Sequence, residues 1–233
     1  MQKNKKNKKI VFEIITIYPD CFESYLNCAI LKKALGLGII EIKIHNLRDY
    51  TLDKHRSVDD SPYGGGPGML MKVEPIFKCL KKILKKKDLK TKVIVFTPKG
   101  KTFNQKLVNT FSKLERIIMI CGRYEGIDER VIKYLADINI SVGNYILAGG
   151  EIPALILIES VSRLLPGVLG ERESLKEESF NLGEDDLEYP QYTRPEIFYL
   201  SKDKKKKWAV PKVLLSGNHK EILAFRSKTC KKK

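Results

Sequence analysis

The sequence predicts an α/β fold built on a mostly parallel sheet. Short apolar runs rich in β-branched residues, such as 10–17, 93–97 and 117–121, alternate with segments whose apolar residues have helical spacing. Each run is apolar at nearly every position, which is typical of strands covered by helices on both faces. The intervening helices supply the crossover connections that parallel strands require.

The elements follow one another along the first two thirds of the chain. Strands are predicted over 10–17, 39–45, 93–97, 117–121 and 138–142. Helices are predicted over 20–35, 73–84, 104–114, 127–135 and 150–165. A glycine-rich segment over 46–71 separates the second strand from the second helix. Segments of this length without structure of their own are uncommon in compact domains and are usually functional.

The composition changes after Gly167–Gly170. Residues 171–188 contain eight acidic and two basic residues, and they offer little to bury before Phe180. We therefore predict a large α/β domain over 1–168, an acidic linker over 169–178 and a small, mainly helical domain over 179–233.

The net charge of +16 favours a polyanionic partner such as RNA. Lysines cluster in the first nine residues, at 81–92, at 202–207 and at the C-terminus. The alternative interpretation is that these lysines are merely solvated.

Cysteine usage and hydropathy predict a cytoplasmic protein. The five cysteines form no CxxC pair and no Cys/His spacing typical of zinc, which indicates free thiols in a reducing compartment. The basic N-terminus leads directly into a strand rather than a signal peptide. No apolar stretch is long enough to span a bilayer, so no membrane association is predicted.

Three loops rich in glycine or proline follow predicted strands: 97–100 (TPKG), 121–130 (CGRYEGIDER) and 141–151 (SVGNYILAGGE). Ligands of parallel sheets bind beyond the carboxyl ends of the strands, so these loops are natural walls of one pocket. Tyrosines and Leu147 could contact an adenine, and Glu125 could accept hydrogen bonds. Taken singly, each loop could also be only a tight turn. The chain has neither a GxGxxG fingerprint nor a P-loop.

The segment 48–71 (RDYTLDKHRSVDDSPYGGGPGMLM) combines charged residues with four glycines. We expect it to close over a substrate, with His55, Arg56, Asp59 and Asp60 offering polar contacts. A solvated surface loop is the alternative.

Six blocks follow one another in order along the chain: YGGGPGM, CGRYEGIDERV, SVGNYILAGGE-x-PA, ESVSRLLPGVLG, YPQYTRP and VLLSGNH. Together they resemble the TrmD-type tRNA (guanine-N1)-methyltransferases of the SPOUT superfamily. The resemblance implies a deep trefoil knot in the first domain and S-adenosylmethionine as cofactor. It also implies a homodimer, and a tRNA substrate, not DNA, with guanosine at position 37 next to the anticodon.

The resemblance further implies a set of site residues. The implied cofactor-binding residues are Phe96, Thr97, Pro98, Gly122, Tyr124, Glu125, Val142, Gly143, Asn144, Tyr145, Ile146, Leu147, Gly149, Gly150 and Pro153. The implied tRNA contacts are His55, Arg56 and Asp59. Mg²⁺ is a further cofactor that the resemblance allows, but the sequence shows no ligand cluster for it, and we assign no metal ligand.

Two residues are implied to carry the chemistry. N1 of guanine bears a proton at neutral pH, so a carboxylate is a suitable general base, and a guanidinium can stabilise the charge that develops on O6. Arg163 matches the arginine of the family. Glu178 stands where the family has aspartate in an Asp-Ser-Phe motif, and the nearby acidic run 184–186 offers alternative bases.

Two other functions remain open from the sequence. One is a SPOUT methyltransferase acting on another RNA position. The other is a catalytically eroded RNA-binding homologue, which the exchange at Glu178 would favour. The chain also ends soon after Phe225, without the final helical segment typical of the family, so the second domain is expected to be a shortened tRNA-binding domain.

Overall fold

The computed structural model describes residues 9–86, 88–170, 179–180, 187–201 and 205–230. The strands of its central sheet are β1 (Ile10–Thr16), β2 (Ile40–Asn46), β5 (Thr91–Thr102), β6 (Arg116–Ile120) and β7 (Ile138–Ser141). This five-stranded sheet is wholly parallel, and its strand order is β2-β1-β6-β5-β7. A short antiparallel pair, β3 (Asp59–Asp60) and β4 (Leu70–Met71), lies within the glycine-rich segment.

Helices cover both faces of the sheet, as the wholly apolar strands predict. The helices are α1 (Glu23–Leu26), α2 (Ala29–Gly36), α3 (Val73–Ile83), α4 (Gln105–Phe111), α5 (Glu129–Tyr134) and α6 (Glu151–Ser162). Helix α6 packs with α2 and α4, whereas α3 packs with α5 and with the 3₁₀ turn Leu47–Tyr50.

The two layers bury alternate residues of the same strands. In β6, Ile117 and Met119 join the core under α6, whereas Ile118 and Ile120 join the core under α3. All four side chains are 0% exposed. Successive side chains of a strand point to opposite faces, so a strand between two helix layers buries both of its faces.

Two elements differ from the sequence prediction. The helix expected over 20–35 is interrupted: a 3₁₀ turn over Pro19–Phe22 leads into α1, and α2 begins only at Ala29. The strand expected over 93–97 extends to Thr102, because it leaves the sheet after Phe96 and rejoins it at Lys101. The chain is otherwise close to the predicted order of strands and helices.

The chain divides into two compact units, residues 1–170 and 171–233. The described part of the second unit contains an antiparallel hairpin, β8 (Ile197–Tyr199) with β9 (Lys207–Ala209), followed by α7 (Lys212–Leu215) and α8 (His219–Thr229). The sequence analysis predicted helices here but not the hairpin. The core of the expected acidic linker, 171–178, lies outside the described residues, so its limits stay a prediction.

Two further features concern the whole chain. All five cysteines are free, with Cys79 and Cys121 buried. Within the described ranges, no helix is both long and apolar enough to cross a bilayer. The trefoil knot implied by the resemblance stays a prediction.

Candidate active site

The three predicted loops meet at the carboxyl edge of the sheet because β6, β5 and β7 are neighbouring parallel strands. We name them the first loop (97–100), the second loop (121–130) and the third loop (141–151). The amide of Gly150 in the third loop donates to the carbonyl of Gly122 in the second, at 3.0 Å. The carbonyl of Phe96, just before the first loop, lies 4.0 Å from where a Cβ on Gly122 would stand. The loops therefore form one continuous backbone surface.

The first loop is an excursion within a strand. Phe96 and Lys101 both pair with Ile140 of β7, so the four residues between them are extruded from the sheet. Gly100 closes this excursion against the backbone of β7, because a Cβ there would lie 2.5 Å from Ile140 atoms. Phe96 is buried and Pro98 is exposed. A larger residue at position 100 would push the excursion off the sheet.

The third loop presents apolar side chains to solvent. Ile146 is 80% exposed, and Tyr145 and Leu147 are also exposed. The Tyr145 hydroxyl donates to the Val142 carbonyl at 3.1 Å, and its ring lies directly over Gly143. Three adjacent exposed apolar side chains at a sheet edge are typical of a binding surface rather than of a simple turn.

The glycine-rich segment docks on the second loop through its backbone. The Glu125 amide donates to the Met69 carbonyl at 3.1 Å, and the Met71 amide donates to the Gly126 carbonyl at 2.9 Å. Gly68, at φ +81°, packs against the side chain of Glu125 so closely that any Cβ would collide with it. This run of contacts joins YGGGPGM to CGRYEGIDERV, two blocks that the sequence shows only as separate motifs.

Of the three predicted tRNA contacts, Asp59 lies beside Tyr124 of the second loop. Burial first, and then the nearby carboxylate of Asp59, raise the pKa of Tyr124 above its ordinary value. Arg56, at φ +54°, instead pairs with Asp49 and bonds the carbonyl of Arg48. His55 is exposed.

A network of polar side chains beneath the loops was not predicted from the sequence. Glu151, only 2% exposed, accepts a hydrogen bond from the Thr16 hydroxyl at 2.7 Å and pairs with Nε of Arg123 at 2.9 Å. The Arg123 guanidinium stacks 4.5 Å above the ring of Tyr18. The sequence signal that could have indicated this network was Glu151 itself, an acidic residue at the start of the strongly apolar helix α6.

The two predicted catalytic residues differ in what the structure describes. Arg163 is half-buried at the C-terminal end of α6, where its amide donates to the Glu159 carbonyl at 3.1 Å. Glu178 and the acidic run 184–186 lie outside the described residues. Within the described ranges, no group of three or more His, Cys, Asp or Glu could hold a metal ion.

The loop surface combines close backbone packing with exposed apolar side chains. Gly149 and Gly150 let the third loop pack tightly on the second, because a Cβ at position 149 would meet Arg123 and a Cβ at position 150 would lie 2.6 Å from the Cα of Cys121. Tyr145, Ile146 and Leu147 of the third loop are exposed, as is Glu125 of the second loop. Apolar walls with a few convergent polar groups are the usual composition of a small-molecule pocket.

The comparisons with known proteins identify the family. The family model described as tRNA (Guanine-1)-methyltransferase TrmD matches residues 10–233. The chain belongs to the TrmD family. A tRNA (guanine-N(1)-)-methyltransferase of Dictyoglomus turgidum is 52% identical over 221 residues, covering 95% of this chain and 85% of the relative. One of Clostridioides difficile is 49% identical over 216 residues, covering 92% of this chain and 90% of the relative.

A solved TrmD-family structure has the same fold. The crystal structure of tRNA (m1G37) methyltransferase from Aquifex aeolicus superimposes with a TM-score of 0.76 at 40% identity, covering 95% of this chain and 90% of that one. The α/β fold and the membership in the TrmD family are thereby confirmed. The individual site residues inferred from the resemblance stay predictions.

Proposed function

We propose that this chain transfers the methyl group of S-adenosylmethionine to N1 of guanosine 37 in tRNA. The observation that carries the proposal is the meeting of three glycine-rich loops at the carboxyl edge of the sheet in a member of the TrmD family. Relatives that cover nearly the whole chain bear the name of this activity, which further supports the proposal.

The cofactor would lie on the three loops. When bound, S-adenosylmethionine supplies a methyl group activated by its sulfonium. Gly149 and Gly150 would hold the second and third loops close together around it, and Tyr124, Tyr145 and Leu147 would exclude water from the adenine. Fixing both reactants in these surroundings accounts for much of the expected acceleration, because methyl transfer requires an in-line approach.

The protein side chains would manage the proton and charge of the guanine. Glu178 would remove the proton from N1, which turns a poor nucleophile into a good one. The guanidinium of Arg163 would stabilise the negative charge that then develops on O6. Asp59, beside Tyr124, together with His55 and Arg56 on the same glycine-rich segment, would contact the RNA near the reacting base.

We further propose that two copies of the chain assemble into a homodimer. Ile152 and Ile156 lie one turn apart on α6, and they are 55% and 39% exposed. The exposed Ile146 lies in the third loop, which leads directly into α6. Apolar side chains on a helix of the sheet domain are a suitable surface for a second copy. The molar mass of the purified protein by light scattering tests the assembly.

The decisive experiment is methyl transfer to unmodified tRNA transcripts that carry either guanosine or adenosine at position 37. Transfer only to the guanosine transcript, mapped to N1 of nucleotide 37, is the expected result. Methyl groups mapped to another nucleotide would instead identify an RNA methyltransferase of different specificity. Binding of both ligands without turnover would identify a non-catalytic RNA-binding protein.

The five free thiols suit a reaction in the reducing cytoplasm.

A further inference from the structure

The hydrogen-bonded side chains of Thr16, Glu151 and Arg123 join three elements that are far apart in the sequence. Thr16 is the last residue of β1, Arg123 belongs to the second loop, and Glu151 is the first residue of α6. The Thr16 hydroxyl also accepts a hydrogen bond from the amide of Tyr18 at 2.9 Å. These three hydrogen-bonded side chains therefore tie the carboxyl end of the sheet to both the second and the third loop.

The side chains of Glu151 and Arg123 set where the backbone of Gly149 and Gly150 lies. A Cβ on Gly149 would collide with the Arg123 side chain and would lie 2.6 Å from Oε2 of Glu151. Arg123 also reaches the carbonyl of Ala148 at 3.5 Å. The ion pair thus packs directly against the backbone surface on which the cofactor is proposed to lie.

An ion pair with a buried carboxylate is a poor device for stability alone. The Glu151 side chain is 3% exposed and that of Arg123 is 23% exposed, so the pair bears a desolvation cost, and an apolar pair of similar volume often stabilises a core as well or better. The pair fixes geometry, because Arg123 has to satisfy Glu151, the Ala148 carbonyl and the Tyr18 ring at once. Few positions of the second and third loops meet all three requirements.

We propose that Glu151 and Arg123 are positioning residues that hold the second and third loops in register for the cofactor. The proposal rests on the proposed function, since it assumes that S-adenosylmethionine binds these loops. Neither side chain needs to touch the cofactor. Glu151 acts through Arg123, and Thr16 acts through Glu151.

The sheet provides a matched control at its opposite end. Glu13 is also 2% exposed and pairs with Arg116, whose Nε lies 2.7 Å from Oε1 of Glu13. Arg116 is the first residue of β6, however, so this pair lies away from the carboxyl ends of the strands. Glu13→Gln therefore removes an ion pair with an equally buried carboxylate from the same sheet without touching the loops.

Calorimetric binding of S-adenosylmethionine to the full chain tests the proposal. Glu151→Gln should weaken binding by about tenfold or more, because it leaves Arg123 without its anionic partner. Glu13→Gln should leave the affinity for S-adenosylmethionine within about twofold of the wild-type value, even if its melting temperature falls as much as that of Glu151→Gln. In steady state, Glu151→Gln should raise KM for the cofactor and leave KM for tRNA unchanged. Thr16→Val, which removes the hydrogen bonds of the Thr16 hydroxyl with Glu151 and Tyr18 but keeps the ion pair, should have a smaller effect of the same kind and serves if Glu151→Gln does not fold.

A second comparison separates positioning from direct contact. If the residues act through one another, Arg123→Met and the double variant Glu151→Gln/Arg123→Met should lose similar affinity. Loss in Arg123→Met with unchanged affinity in Glu151→Gln would mean that Arg123 binds the cofactor itself, and it would overturn the proposal. If the wild-type chain binds no S-adenosylmethionine, the proposed function is wrong and the positioning proposal falls with it. If the wild type binds and Glu151→Gln binds equally well, only the positioning proposal is wrong.

Discussion

Glu13 and Glu151 are buried carboxylates on the same sheet, and each is paired with an arginine. Burial raises the pKa of Glu13, but hydrogen bonds from His45 and Arg116 outweigh that effect, and the pKa of Glu13 is lowered from 4.5. Glu13 thus belongs to a structural network near the start of β6. Glu151 lies under the loops, where its partner Arg123 packs against the backbone of Gly149.

The lowered pKa of Glu13 predicts an acid sensitivity of the fold. A carboxylate whose pKa is lower in the folded state contributes stability that is complete above its unfolded pKa. This contribution is lost as the pH falls from 4.5 through the folded value. Between about pH 6 and about pH 3, the free energy of unfolding should therefore fall less for Glu13→Gln than for the wild type. Urea melts at a series of pH values measure this, and parallel pH profiles would show that Glu13 is not involved.

The proposed base Glu178 makes a sharper residue-level prediction. Glu178→Gln should lower kcat by about 10²–10⁴-fold and leave the affinities for cofactor and tRNA nearly intact, because amide and acid have similar shapes. Glu178→Asp should retain activity if the backbone accommodates the shorter side chain. Single-turnover methyl transfer at saturating ligands is the measurement. Normal turnover in Glu178→Gln together with loss in Asp185→Asn or Asp186→Asn would place the base in the acidic run instead.

At the scale of elements, the glycine-rich segment is tied to the second loop by backbone hydrogen bonds on both sides of Gly126. Gly68 allows this docking twice over: it adopts φ +81°, and it leaves room for the side chain of Glu125. The segment is therefore part of the loop surface rather than a solvated connection. Its contacts also bring Asp59 to Tyr124.

Substitution of Gly68 should therefore weaken cofactor binding and turnover together. Gly68→Ala adds a methyl group that displaces Glu125 and strains a left-handed residue by about 1–2 kcal/mol. Gly65→Ala is the matched control, since Gly65 has φ +79° but nothing within 4 Å of the added Cβ. Both variants carry the backbone strain, and only Gly68→Ala carries the collision. Equal cofactor affinity in the two, measured by calorimetry, would show that the docking of the segment does not matter for binding.

Sequence patterns predicted the elements whose signal is local and continuous. The apolar run over 117–121 predicted β6, because a strand buried on both faces shows its burial at every position. The hairpin Ile197–Tyr199 with Lys207–Ala209 was missed, since its strands are short and exposed and lack any alternation. The extension of β5 beyond its loop was missed because Pro98 and Gly100 indicate the end of a strand, whereas here they form an excursion from it.

The predicted site was incomplete for a similar reason. Glycine motifs predict where backbone comes close to a ligand, so the three loops could be found from local sequence. Thr16, Arg123 and Glu151 belong to three separate segments, and no local pattern connects them. Their association is a consequence of the strand order, which places the end of β1 beside β6. Only the folded chain shows that Glu151 is a buried charge with a partner.

At the scale of the whole molecule, the net charge of +16 is the feature with the widest consequence. In the described part of the chain, Lys81, Lys82, Lys85 and Lys86 form an exposed cluster that begins at the C-terminal end of α3. Such clusters attract the phosphate backbone of RNA and accelerate encounter at low salt. The charge thus complements the loop surface: the loops would hold the small cofactor, and the lysines would hold the large polyanion.

This division predicts that salt affects the two ligands differently. Binding of tRNA should weaken steeply, with log K falling by roughly 0.7–0.9 per phosphate contact for each log unit of salt, because each neutralised phosphate releases condensed counterions. Binding of S-adenosylmethionine should change little over the same range, since it neutralises no phosphate. Fluorescence anisotropy with labelled tRNA and calorimetry with the cofactor give the two slopes.

Replacing the four lysines of the cluster by glutamine should flatten the tRNA slope and leave cofactor affinity unchanged. A flat tRNA response in the wild type would mean that the lysines are solvated and make no phosphate contacts.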